Sequence, residues 1–68
     1  MTNIMENEIN KVIKEIVFTI KNKNINVFKL CEKLCLPEEK FIYYLSSPSK
    51  NLSFYLSMLD VVYECFEV

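Results

Sequence analysis

Apolar residues recur at helical steps in four separate stretches of the chain. Ile9, Val12, Ile13, Ile16, Val17 and Ile20 repeat every three or four residues, while Glu8, Lys11, Lys14 and Glu15 take the other side. This pattern predicts an amphipathic helix with one buried stripe. The run from Ile16 to Thr19 has local strand preference, but the longer period prevails. The polar run Lys21 to Asn26 breaks the pattern, and Asn26 is placed to cap a second helix. That short helix should bury Val27, Leu30, Cys31 and Leu34. Pro37 suits the first turn of a third helix, where its missing N–H is not needed. Glu38 and Glu39 follow it, where the helix dipole favours carboxylates, and the helix should run to about Leu45. Ser46 to Asn51 reads as a loop. From there Leu52, Leu56, Leu59, Tyr63 and Phe66 form the stripe of a fourth helix. The expected fold is all-α: one compact four-helix domain over residues 1–68, containing a helix-turn-helix.

Composition narrows the function. At 51% hydrophobic and 25% charged, the chain has too much apolar surface for a disordered segment. A domain of 68 residues buries a thin core, worth ~3–5 kcal/mol net, and self-association would cover leftover apolar surface. No targeting segment or bilayer-spanning run stands out. Three cysteines without a secretion signal fit reduced thiols in a cytoplasmic protein. The absence of Gly, Ala, Arg, Gln, His and Trp, with abundant Asn, Ile and Lys, fits an AT-rich genome such as a low-GC bacterium or its phage.

No catalytic chemistry is apparent, so neither enzyme activity nor a cofactor is expected. Without histidine there is no ordinary base to activate a thiol. Glu38 and Glu39 are adjacent, diverge on a helix and cannot flank one bond. Cys31 and Cys35 read as buried small hydrophobes rather than metal ligands. The net charge is −1, with eight lysines and no arginine, which weakens the case for a phosphate-coated partner. Through Lys40 there are seven lysines against six acids, and beyond it one lysine against three. Any nucleic-acid face therefore lies in the first two-thirds, and the tail suits protein contacts.

Counted from Val27, a helix-turn-helix needs apolar residues at its fourth, eighth, tenth, fifteenth and eighteenth places and a small one at its fifth. The chain has Leu30, Leu34, Leu36, Phe41 and Tyr44 there, with Cys31 as the small residue. On these residues it resembles the lambda-repressor-like family, the Cro/CI type. The resemblance covers about Ile25 to Val62, with Ile9 to Ile20 as the family's first helix. It implies a third helix inserted in the major groove of double-stranded DNA, with Pro37, Glu38, Glu39, Lys40, Ile42, Tyr43 and Ser46 toward the bases. The DNA backbone would meet Asn26, Lys29, Lys33 and Lys50, with Lys40 able to serve either set. The resemblance also implies a homodimer through the last helix, for which Leu59, Val62, Tyr63 and Phe66 are the candidates.

The chain departs from that family in three ways. Arginine bidentate to guanine, the common specific contact, cannot occur. Glu38 and Glu39 stand where the helix tip would meet phosphates. Cys35 takes the turn position where the family usually has glycine. Two expectations follow. One is a small dimeric DNA-binding transcriptional regulator, placed first by the usual use of such a fold. The other is a protein-interaction module on the same scaffold, such as an antirepressor or inhibitor, with Ile42 and Tyr43 displayed to a protein partner.

Overall fold

The computed structural model describes the backbone of residues 4–66 and the side-chain environments of residues 6–65. Four helices follow in order: α1 Ile4–Asn22, α2 Val27–Leu34, α3 Glu38–Ser46 and α4 Leu52–Phe66. The fold is all-α, and among the described residues there is no strand. The stripe of α1 goes inside as its spacing requires. Ile9, Val12, Ile13 and Ile16 are buried, and Val17 and Ile20 pack against them half-buried. The main helix–helix interface joins α1 to α4, and α2 bridges α4 and α3.

Each helix end has a local cause. α1 stops where Asn24 takes a left-handed conformation (φ 52°) and the Ile25 N–H reaches back to the Ile20 carbonyl at 3.1 Å. This closes the carbonyls left open at a helix C-terminus. Asn26 then caps α2, its Oδ1 accepting from the N–H groups of Phe28 at 2.9 Å and Lys29 at 3.3 Å. α2 ends at Cys35 (φ 56°, ψ 41°), where the N–H of Leu36 bonds to Cys31 O at 3.1 Å and that of Cys35 to Glu32 O at 3.2 Å. Leu36 folds back against the core in the same motif. The sharp corner between α2 and α3 is therefore a left-handed helix cap built on a cysteine. Pro37 lies just outside α3, and its carbonyl accepts the Phe41 N–H at 3.0 Å. Asn51 serves α4, its Oδ1 accepting the Phe54 N–H at 3.0 Å.

The six spacing residues of the corner pack as expected. Leu30, Cys31 and Phe41 are buried; Leu34, Leu36 and Tyr44 are half-buried against the core. The fourth helix differs from its expected stripe. Its buried residues are Tyr55, Met58, Leu59 and Val62, whereas Leu56 is 45% exposed. Tyr55 can be fully buried because its hydroxyl donates to the Tyr44 carbonyl at 2.7 Å, leaving no orphan polar group. That bond ties α4 to the end of α3 and rotates Leu56 outward.

Two further expectations are corrected. Leu59 and Val62 are unavailable as a dimer surface, because at 8% and 0% exposure they fill the core of a single chain. Tyr63 is half-buried, and its hydroxyl donates to Glu15 Oε1 at 2.6 Å, bracing α4 on α1. The side chain of Phe66 lies outside the described residues. Cys35 is exposed rather than buried, since it caps the helix instead of facing inward with Cys31.

Candidate interaction surface

The α2–α3 corner displays the residues singled out on α3. Glu38, Glu39, Lys40, Ile42, Tyr43 and Ser46 are all exposed, as is Pro37. Ile42 and Tyr43 stand out at 54% and 53% exposure. Phe41 is part of the core, so α3 is fixed on its inner side and shows Ile42 and Tyr43 to solvent. Two carboxylates occupy its first turn, and no cation occupies its last.

Ile42 does not stand alone. With Glu38, Phe41 and Leu45 of α3 it lines an open groove of about 230 Å³, closed by Val17, Ile20 and Lys21 of α1 and Val27 of α2. Around the corner from it, Phe28, Cys31, Glu32, Cys35, Leu36, Pro37 and Glu38 line a second concavity of about 320 Å³. Glu39, Lys40 and Tyr43 share a third depression on α3 itself. Burial, assisted by the nearby Glu38 charge, raises the Cys31 thiol above its ordinary pKa and keeps it neutral.

The expected backbone-contacting residues are divided among other places. Asn26, Lys29 and Lys33 line a concavity with Ile25 and Cys65, between α2 and the end of α4. Asn26 already uses its Oδ1 as the α2 cap. Lys50 sits with its Nζ 5.4 Å from the Tyr44 ring centroid and 5.8 Å from that of Phe54. It belongs to an aromatic cluster in which Tyr44, Phe54 and Tyr55 meet edge to face and Tyr43 lies tilted against Tyr44, with neighbouring centroids 5.2–5.6 Å apart. Lys40 shares a depression with the exposed α3 side chains Glu39 and Tyr43.

Two large exposed residues were missed by the sequence reading: Phe18 of α1 and Phe28 of α2, at 67% and 65% exposure. Phe18 falls outside the apolar stripe that defines α1, and Phe28 occupies the second place of its helix, which the spacing pattern leaves unassigned. Either could have been flagged as an aromatic on a polar face. Among the described residues no group of three metal-binding side chains occurs, and no helix is long and apolar enough to cross a membrane. The chain matches no protein-family model, no curated protein and no solved structure. Chemically, the surface offers apolar grip, a tyrosine hydroxyl and carboxylates.

Proposed function

We propose that this chain is a protein-docking module on a helix-turn-helix scaffold, with α3 and the groove beside it as the gripping surface. The carrying observation is that Ile42 and Tyr43 are both more than half exposed on α3 and that Ile42 lines an apolar groove whose polar members are Glu38 and Lys21. An apolar anchor ringed by polar groups is the pattern of a binding hot spot, where tyrosine is favoured. Phosphate recognition needs cations aimed at the same duplex face, whereas Lys29 and Lys33 line a separate concavity. An antirepressor or inhibitor is the kind of activity such a surface supports.

The test is a photo-cross-linking amino acid at Tyr43, in the protein expressed in a low-GC bacterial host. It should give one discrete protein adduct, lost when Ile42→Asp or Val17→Asp spoils the groove while helicity is retained. If no adduct forms, or the adduct ignores both substitutions, this reading fails.

DNA binding is the second reading, and one observation favours it. The corner has the tight left-handed turn and outward third helix that a major-groove reader of the Cro/CI type requires. On that reading Glu39, Lys40, Ile42 and Tyr43 meet the bases, and Asn26, Lys29, Lys33 and Lys50 meet the backbone.

A further inference from the structure

The outer surface of α2 has two flanks of opposite character. At about 100° per residue, Leu30, Cys31 and Leu34 turn inward, leaving Phe28 and Glu32 on one flank and Lys29 and Lys33 on the other. The structure bears this out. Phe28 and Glu32 line the concavity at the α2–α3 corner together with Glu38. Lys29 and Lys33 line the one on the far side with Asn26. All four side chains are exposed, and none makes an ion pair within the chain among the described residues. Phe28 is a large knob standing beside a hollow of about 320 Å³.

We infer that this face of α2 pairs with the same face of a second copy of the chain, about a two-fold axis running along the helix. Such an axis exchanges the flanks. The acidic, aromatic side of each copy then meets the lysine side of the other, and each contact occurs twice. Glu32 faces the second copy's lysine at position 33, and Phe28 packs under the stem and ammonium of its lysine at position 29. Both halves of the interface are thus present in one sequence, and their charges are complementary. A foreign protein with a basic apolar ridge is the competing occupant. The inference is independent of what α3 grips, since none of Phe28, Lys29, Glu32 and Lys33 lines the groove beside Ile42.

Charge exchange tests it. At about 0.1 mM protein and low salt, where charge pairs are least screened, the wild type should run in light scattering at twice its 8.1 kDa mass. Glu32→Lys alone and Lys33→Glu alone should each run as monomers, because each sets like charges together. An equimolar mixture of the two variants should dimerise again, since every contact across the mixed pair regains opposite signs. The double variant Glu32→Lys/Lys33→Glu should also dimerise. Recovery on mixing separates a lost interface from a lost fold. A monomeric wild type, single variants that remain dimeric, or a mixture that stays monomeric would each overturn the inference. Failure here leaves cross-linking at α3 unaffected, so the two proposals fail separately.

Discussion

Cys35 is where one residue most visibly carries the shape of the corner. Its left-handed φ of 56° is held by two backbone hydrogen bonds, and a side chain with a Cβ costs ~1–2 kcal/mol there. Cys35→Gly relieves that cost but adds unfolded-state freedom, so denaturant unfolding should show a net gain of about 0.5–1 kcal/mol. Cys35→Val should lose stability, because a β-branched residue fits this region worst. Exposure also separates the thiols. A thiol reagent should modify Cys35 in the native protein, while Cys31, buried and held neutral, reacts only on unfolding.

Tyr63 adds a pH dependence. Its hydrogen bond to Glu15 is the main cause that raises the phenol above its ordinary pKa. A folded pKa above the unfolded one gives stability that is complete below the unfolded value and lost as pH rises through the folded one. Stability should therefore fall above about pH 10, and Tyr63→Phe should remove that part of the decline in thermal unfolding followed against pH.

Among the elements, α2 depends on its cap most. Eight residues are too few for a stable isolated helix, and Asn26 satisfies two of its open N–H groups. Asn26→Ala should cost about 1 kcal/mol in denaturant unfolding, and Asn51→Ala a similar amount at α4. The first of these caps was legible in the sequence, because an asparagine directly precedes a clear apolar period. The second was hidden inside a run that composition marks only as loop. The stripes of α1 and α2 were legible for the same reason of period. That of α4 was not, because apolar residues fill more than one side of it, and the choice between Leu56 and Tyr55 is made by a hydroxyl bond to Tyr44 O, eleven residues away. Two of the expected dimer residues went inside with it: Leu59 and Val62 are drawn into the core by the extensive α1–α4 interface. The outward side of α3 was legible, since Phe41 and Tyr44 fix its inner side by spacing alone. The groove beside Ile42 was not, because it is made jointly by three helices.

For the whole molecule, the charges and the apolar surface lie in different places. Most of the lysines are on the first two helices and the turn between them, whereas α3 presents Ile42 and Tyr43 behind Glu38 and Glu39. With a net charge of −1 and no arginine, the molecule has little general attraction for phosphate. The central claim is that this α3 face serves protein contact. Its most direct test is a salt titration of the full chain against fragments of low-GC genomic DNA. A duplex-binding dimer with about three lysine–phosphate contacts per subunit would lose affinity with a log–log slope near −5, and Lys29→Glu with Lys50→Glu would abolish it. The account predicts no retention of any fragment even at low salt. Saturable retention with that slope, lost in the double variant, would contradict it.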